Sequence, residues 1–229
     1  MEPEKHLRKV RSFVHRESRM TARQKRAMDE LWPVFGITPA DTALDLKAIF
    51  GRDAPRNLEI GLGMGDALLA MAQRYPEQDF VGIDVHRPGV GHALDVGRTL
   101  GLTNIRMVIT DAVEVLKRSI ADASFDAIYI FFPDPWPKTR HHKRRLISPE
   151  FVDLLSHKLK PGGVVHLATD WEAYAVWMME HFSASPAFEN VSGVGMFAPR
   201  CEDRALTKFE ARGQRLGHGV WDLAFSRRP

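Results

Sequence analysis

Four acidic side chains stand at or just after the ends of short apolar runs. They are Glu59, Asp84, Asp111 and Asp134. Helical patterns separate these runs, so we predict that the runs form parallel strands joined by crossover helices. Parallel strands end at a common edge of the sheet, where open α/β proteins bind their ligands. Carboxylates there can accept hydrogen bonds from hydroxyl, ammonium or amine groups of a ligand.

A glycine-rich turn follows the strand predicted over residues 56–60. Its glycines are Gly61, Gly63 and Gly65. Glycine lets the backbone approach a ligand closely at the start of the next helix. The spacing is Gly-x-Gly-x-Gly, whereas dinucleotide sites carry Gly-x-Gly-x-x-Gly. The turn alone is weak evidence, and the acids around it must decide between ligands.

Those acids distinguish two cofactors. Asp84 lies 19 residues after Gly65, where a carboxylate can bind the ribose of a nicotinamide cofactor, so that cofactor stays an alternative. Glu59 and Asp66 flank the turn, however, and would repel a pyrophosphate. S-adenosylmethionine carries sulfonium and ammonium groups that tolerate both acids. The pair Asp111-Ala112 could also accept from its adenine amine. The sequence therefore favours S-adenosylmethionine.

A stiff turn follows the fourth strand and reads Phe132-Pro133-Asp134-Pro135-Trp136-Pro137-Lys138. Three prolines around one acid restrict the backbone, so the carboxylate of Asp134 is held at the ligand edge with little freedom to lose. A similar Asp-Pro-Pro-aromatic turn serves amino-methylating enzymes, where the acid accepts from the attacked amine. Two nucleophiles therefore stay open, a base amine and a ring nitrogen.

Positive charge is concentrated in two segments. Residues 1–26 hold nine lysines and arginines against three acids, and residues 138–145 hold five against none. The rest of the chain is net acidic, because the whole chain carries only +3. Discrete basic clusters of this kind bind phosphates. We expect no metal at His141 and His142, since no cysteine or acid lies beside them at ligand spacing.

Length and composition indicate a single α/β domain. The chain has 229 residues, of which 44% are apolar, and one cysteine, so it can bury a core but has no internal disulfide. We predict a Rossmann-like domain over residues 31–229, with a mostly parallel sheet, helices on both faces and an antiparallel C-terminal strand. A basic extension covers residues 1–30. With no apolar run that could span a bilayer and no secretory signal, the protein is expected in the cytoplasm.

Apolar runs and helical patterns alternate along the chain in a defined order. Strands are predicted over 56–60, 79–84, 105–109, 126–132 and 164–169, and helices over 66–75, 89–101, 111–120, 149–159 and 171–182. Pro161-Gly162-Gly163 separates the fourth of these helices from the strand over 164–169. The last third of the chain is expected to add a strand near 188–192 and a closing strand over 220–225.

Residues 132–145 closely resemble the corresponding loop of the bacterial tRNA (guanine-N(7))-methyltransferase family. The resemblance spans nearly the whole chain and continues through Arg11-Ser12-Phe13-Val14, Leu58-Glu59-Ile60-Gly61, Asp111-Ala112, Ala168-Thr169-Asp170-Trp171, Thr207-Lys208-Phe209-Glu210 and Gly217-His218-Gly219-Val220-Trp221-Asp222-Leu223. Two departures are Ser18, where glycine is expected, and Ala205, where proline often stands.

The resemblance implies a class I methyltransferase that moves a methyl group from S-adenosylmethionine to position 7 of a guanine in the variable loop of tRNA, giving 7-methylguanosine. It implies cofactor contacts from Glu59, Asp84, Asp111 and Asp134, with Asp134 also catalytic. It assigns substrate binding to Lys138, Asp170, Thr207, Lys208, Phe209 and Glu210. It places Arg140, His141, His142, Lys143, Arg144 and Arg145 against RNA. Separately, the N-terminal 20 or so residues hold few apolar side chains and much charge, so we expect them to be disordered without RNA.

Other functions stay open on the residues alone. The basic segments would also suit a non-catalytic RNA-binding module, although acids at four strand ends argue against it. An amino-methyltransferase that acts on adenine or a small amine would use a similar proline-rich turn. Within the guanine hypothesis, either Asp134 or Asp170 could stabilise the developing charge, because both follow strand ends. The sequence does not decide between a monomer and a homodimer.

Overall fold

The structure, a computed structural model, describes residues 12–13, 19–204 and 219–229. Its elements are, in chain order, α1 (Ala22–Phe35), β1 (Gly36–Ile37), α2 (Leu46–Phe50), β2 (Arg56–Ile60), α3 (Asp66–Arg74), β3 (Asp79–Asp84), α4 (Arg87–Thr99), β4 (Ile105–Ile109), α5 (Ala112–Arg118), β5 (Phe125–Phe131), a 3₁₀ helix (Thr139–Arg144), α6 (Pro149–Lys158), β6 (Leu159–Thr169), α7 (Glu172–Ala184), β7 (Phe188–Asn190) and β8 (Trp221–Arg227).

Within the described residues, the strands form one sheet in the order β1-β4-β3-β2-β5-β6-β8-β7. The pairs from β1 to β6 are all parallel, whereas β8 is antiparallel to both of its neighbours. The chain runs outward from β2 through β3 to β4, and then returns to place β5 on the other side of β2. This reversal is the point at which such sheets open a crevice for a ligand. The predicted fold class is confirmed.

Apolar side chains of the strands alternate between two cores, as the two-residue period of a strand requires. Ile128 and Ile130 pack with α5, α6 and α7, whereas Tyr129 between them packs with α1, α3 and α4. Helices therefore cover both faces of the sheet. In the described ranges, no helix has both the length and the apolar character needed to cross a membrane.

Helix α1 begins at Ala22, within the extension predicted over residues 1–30. Thr21 and Gln24 form a capping box at its start, and this Thr-x-x-Gln signal was available in the sequence. Ala27 and Met28 are buried, and the helix packs against α4. Helix α1 therefore packs on the domain predicted over residues 31–229, and the boundary at residue 30 stays a prediction. The disorder predicted for the N-terminal extension concerns residues that lie mostly outside the described ranges.

Strand β6 begins five residues earlier than the strand predicted over 164–169. Leu159 pairs with Phe125 and Val164 pairs with Ala127, so the register shifts between these pairs and residues 160–163 bulge out. The proline and glycines expected to precede the strand therefore form a bulge inside it. The loop after β5 contains the 3₁₀ helix Thr139–Arg144.

Candidate active site

Five acidic side chains lie at one edge of the sheet, where neighbouring parallel strands end. In the order β4, β3, β2, β5 and β6, these residues are Asp111, Asp84, Glu59, Asp134 and Asp170. Glu59 and Asp84 lie within the last two residues of their strands, and the other three follow within three residues. The parallel topology therefore brings together acids that are up to 111 residues apart in the sequence.

Glu59 is buried, with only 4% of its surface exposed. One of its carboxylate oxygens, Oε2, has no hydrogen-bond partner among the described residues, while the backbone N–H of Leu68 near the start of α3 donates to the carboxylate. Burial raises the pKa of Glu59 to about 8, and the nearby charges of Asp84 and Asp66 add to the increase. A buried polar atom without a partner costs stability, which is typical of a site kept for a ligand.

The glycine turn is open toward solvent beside Glu59. Gly61 and Gly63 have positive φ angles of 79° and 57°, and a Cβ atom at either position would meet nothing within 4 Å. Asp84 holds the turn from β3, because its carboxylate accepts from the N–H of Gly63 and from the N–H of His86, each at 2.8 Å. The turn therefore presents backbone to an open space, and the carboxylate of Asp84 holds it in this conformation.

Asp111 is the N-cap of α5, where its side chain accepts from the N–H of Val113 at 3.0 Å, and the neighbouring Ala112 is buried. It also lines a cleft of about 150 Å³, which Lys143 and Arg144 line from the basic loop, residues 138–145. The structure therefore places this predicted cofactor acid next to two of the predicted RNA-contacting cations.

The turn that carries Asp134 is strained. Phe132 and Trp136 have positive φ angles of 52° and 43°, which non-glycine residues adopt only when their surroundings hold them. The N–H of Phe132 donates to the carbonyl oxygen of Ala168 at 2.8 Å, which ties the turn to β6. Asp134 itself is exposed. The turn thus presents a carboxylate to solvent from a constrained backbone.

Trp136 and the basic loop contact residues 12–13 of the N-terminal extension. The indole N–H of Trp136 donates to the carbonyl oxygen of Ser12 at 3.0 Å, and Arg144 donates to that of Phe13 at 3.4 Å. The guanidinium of Arg144 also lies 3.9 Å from the centre of the Trp136 ring. Residues 12–13 therefore lie against the turn that carries Asp134.

The predicted RNA-contacting residues differ in exposure. Arg140 and Lys143 are exposed, as is the neighbouring Lys138, which was predicted to bind substrate. His141, His142 and Arg144 are half-buried, and burial together with the neighbouring cations lowers the pKa of His141. Arg145 is only 6% exposed. The cations that a polyanion can reach are therefore Lys138, Arg140 and Lys143. Arg145 makes its contacts inside the protein.

Sequence reasoning missed a buried ion pair next to the site. Arg204 donates to both carboxylate oxygens of Asp222, at 3.3 and 2.8 Å, and neither side chain is more than 6% exposed. The guanidinium lies 5.3 Å from the centre of the Phe132 ring. An aspartate inside the apolar run of β8 was the available signal, because a buried charge requires a partner.

Four of the predicted substrate residues, Thr207, Lys208, Phe209 and Glu210, lie outside the described residues. Asp170 is described and exposed at the end of β6, one residue after the strand. In the part of the chain that the structure describes, no group of three or more His, Cys, Asp or Glu side chains is arranged to hold a metal ion.

The sheet order, the glycine turn and the row of acids define a class I, Rossmann-like methyltransferase fold. Among solved structures, the chain resembles the 16S rRNA methyltransferase KamB, with a TM-score of 0.59 and 14% identity over 82% of this chain and 95% of that one. A second, titled as an antibiotic-related methyltransferase, gives a TM-score of 0.53 at 16% identity over 86% and 98%. At these identities the likeness concerns the fold.

The family described as "Putative methyltransferase" matches residues 53–223. A tRNA (guanine-N(7)-)-methyltransferase of Aeromonas hydrophila subsp. hydrophila is 55% identical over 97% of this chain and 94% of its own length. That of Pseudomonas putida is 54% identical over 96% and 92%. The chain belongs to the family of bacterial tRNA (guanine-N(7)-)-methyltransferases, and the resemblance seen in the sequence is confirmed.

Proposed function

We propose that this protein transfers a methyl group from S-adenosylmethionine to the ring nitrogen at position 7 of a guanine in tRNA, in the variable loop. The observation that carries the proposal is the row of acids at five neighbouring strand ends, beside a glycine turn and a basic loop. Relatives more than 50% identical over nearly the whole chain bear the name of this activity. A tRNA substrate also favours a cytoplasmic location.

The residues present fit the methyl donor. Glu59 has a buried oxygen without a partner among the described residues, and the open turn at Gly61 and Gly63 leaves space beside it. S-adenosylmethionine supplies a methyl group on a positively charged sulfur, together with an ammonium group and an adenosine. Glu59, Asp84 and Asp111 would hold the donor by accepting hydrogen bonds, and the carboxylates suit its positive charge.

Gly89 supports this turn from α4, and a Cβ atom there would lie 1.8 Å from the carbonyl oxygen of Gly63. The variant Gly89→Ala must therefore displace the turn. We expect a loss of roughly 1–3 kcal/mol in the free energy of unfolding. We also expect a weakening of S-adenosylmethionine binding by about tenfold or more, because the contact groups move. Calorimetric titration and thermal unfolding measure the two effects.

Gly97→Ala is the matched control on the same helix. A Cβ atom at Gly97 would meet only the side chains of Ile105 and Leu69, at 2.7 and 3.4 Å, and the end of a side chain can move. Its affinity for S-adenosylmethionine should equal that of the wild type. Equal affinity in Gly89→Ala as well would show that the turn does not depend on this close approach.

The guanine nitrogen at position 7 has an in-plane lone pair and needs no deprotonation, so positioning dominates the reaction. Methylation turns the neutral base into a cation. Asp134 lies on a constrained turn, and we assign it the role of accepting hydrogen bonds from guanine N–H groups. A carboxylate already in place stabilises the positive charge as it develops. Asp170, at the end of the adjacent strand β6, would contact the same base.

The exposed cations of the basic loop would bind tRNA phosphates. Arg140 and Lys143 are exposed in the 3₁₀ helix of the loop that follows β5. Removing either by substitution with alanine should weaken tRNA binding and lower the slope of log affinity against log salt by about 0.7–0.9, the value for one lost phosphate contact. Lys47→Ala, at an exposed lysine of α2, is the control for simple charge loss. If all three variants show the same slope as the wild type, the loop does not bind phosphates.

The activity itself is tested with unfractionated tRNA and methyl-labelled S-adenosylmethionine. After digestion, labelled 7-methylguanosine is the expected product. A shift of the RNA without label would instead indicate a non-catalytic binding module. A labelled adenine or a labelled small amine would indicate an amino-methyltransferase, which the proline-rich turn alone does not exclude.

A further inference from the structure

Arg145 is hydrogen-bonded, from inside the protein, to the turn that carries Asp134. Its Nε donates to the carbonyl oxygen of Pro135 at 3.0 Å. Pro135 directly follows Asp134 and directly precedes Trp136, which has a positive φ. The hydrogen bond therefore acts at the peptide group between the acid and one of the strained positions.

Two aromatic side chains of α7 hold the guanidinium of Arg145 in place. Its central carbon lies 5.0 Å from the centre of the Tyr174 ring and 4.8 Å from that of Trp177. Contacts of this kind between a cation and an aromatic ring are strongest when water is excluded. The indole N–H of Trp177 donates to the carbonyl oxygen of Ile147 at 2.7 Å, and the N–H of Ile147 donates to the hydroxyl of Tyr174 at 3.3 Å. Helix α7 thereby fixes the end of the loop together with Arg145.

The exposure of Arg145 argues against a contact with phosphate. It is 6% exposed, whereas Lys143 two residues earlier is exposed. Burial also lowers the pKa of Arg145, although an arginine side chain is not deprotonated in proteins and so keeps its charge. A buried arginine whose planar guanidinium contacts two aromatic rings and donates to a carbonyl oxygen is suited to hold a backbone segment in place.

We propose that Arg145 is a positioning residue for the methyl transfer, which holds the Pro135 carbonyl and through it the carboxylate of Asp134. This inference rests on the proposed function, and it replaces the RNA contact that the family resemblance implied for Arg145. A substitution that loosens the turn slows the chemical step, because small displacements of a charged group in an active site cost large factors in rate.

The test compares Arg145→Lys and Arg145→Gln with Lys143→Ala. Arg145→Lys keeps the charge but loses the planar fork, and Arg145→Gln loses both. We expect each to lower kcat at saturating tRNA by about tenfold to a hundredfold. The affinity for tRNA and its salt slope should stay as in the wild type. Lys143→Ala should show the opposite pattern, with a raised KM for tRNA, a lowered salt slope and a much smaller fall in kcat.

A phosphate contact predicts a different result. In that case Arg145→Lys would retain most of the activity, and Arg145→Gln would lose tRNA affinity and about one contact from the salt slope. That pattern overturns the proposal. Wild-type formation of 7-methylguanosine is measured first, so that its absence contradicts the proposed function and not the role of Arg145.

Affinity for S-adenosylmethionine and thermal unfolding report whether the Arg145 variants fold. If neither variant folds, Trp177→Leu decides, because it removes one ring from the guanidinium and leaves the charge of Arg145 unchanged. A fall in kcat of several-fold, with unchanged tRNA affinity and salt slope, supports the positioning role. An unchanged kcat in this variant overturns it.

Discussion

Asp134→Ala is expected to lower kcat for tRNA methylation by about 10²–10³-fold, the usual effect of removing one group that stabilises charge in a transition state. Asp134 is exposed on a turn constrained by two strained residues and by neighbouring prolines. The free protein therefore already constrains the backbone that carries this carboxylate, and little rearrangement of the turn is needed when guanine binds. Affinity for S-adenosylmethionine should fall far less than kcat, because Glu59, Asp84 and Asp111 remain. Single-turnover methylation and calorimetric titration measure the two quantities.

Asp170→Ala is the informative comparison, because both acids follow neighbouring strands of the sheet. A larger loss in kcat for Asp170→Ala would assign the main charge stabilisation to β6 and not to the proline-rich turn. Asp134→Asn keeps the size of the side chain and one hydrogen-bond acceptor but removes the charge. A kcat near the wild type in Asp134→Ala would contradict the catalytic assignment.

Glu59→Gln is expected to make the free protein more stable, and the gain should depend on pH. Because burial raises the pKa of Glu59 to about 8 from an ordinary value of 4.5, the folded protein keeps a proton that the unfolded chain has released. Wild-type stability therefore falls as pH rises from about 4.5 to 8. Glutamine does not titrate, so the variant avoids this loss. The difference in the free energy of unfolding should be small near pH 4.5 and on the order of 4 kcal/mol at pH 8.

The same substitution is expected to weaken cofactor binding. Glu59 must lose its proton before its carboxylate can accept a hydrogen bond from a positively charged group of S-adenosylmethionine. Wild-type affinity for S-adenosylmethionine should therefore rise from pH 6 to pH 8, by at most about tenfold per pH unit. Glu59→Gln cannot supply the charge. Its affinity at pH 8 should be about ten- to a hundredfold lower, which corresponds to one charged hydrogen bond of roughly 1.5–3 kcal/mol. Titration calorimetry in buffers of different ionisation enthalpy also reports the released proton.

Glu77→Gln is the control for this chemistry, because Glu77 is exposed at the opposite edge of the sheet, just before β3. It should change neither the pH dependence of stability nor the affinity for the cofactor. A Glu59→Gln variant that binds S-adenosylmethionine as tightly as the wild type at pH 8 would remove Glu59 from the cofactor site. A gain in stability accompanied by a loss of binding is the signature of a buried group retained for function.

The sequence determined the central strands and the acids that end them. Short apolar runs separated by helical patterns predicted β2, β3 and β4 with their observed bounds, because a buried parallel strand is a local pattern of apolar residues between turns. The parallel arrangement then required Glu59, Asp84 and Asp111 to share one edge. The family followed from motifs spread along the chain, which also needed no tertiary information.

Only the tertiary structure decided what each charged side chain contacts. Arg145 and Lys143 belong to one basic run, yet one is buried between Tyr174 and Trp177 and the other is exposed. Asp222 reads as one polar residue in a strand until Arg204, 18 positions earlier, pairs with it. Burial and partnership depend on groups far apart in the chain, whereas local patterns record only the tendency of a segment to form a helix, a strand or a turn. The strand ends were predictable because they follow from local patterns. The role of Arg145 was not, because it depends on contacts with Tyr174 and Trp177, which lie about 30 residues further along the chain.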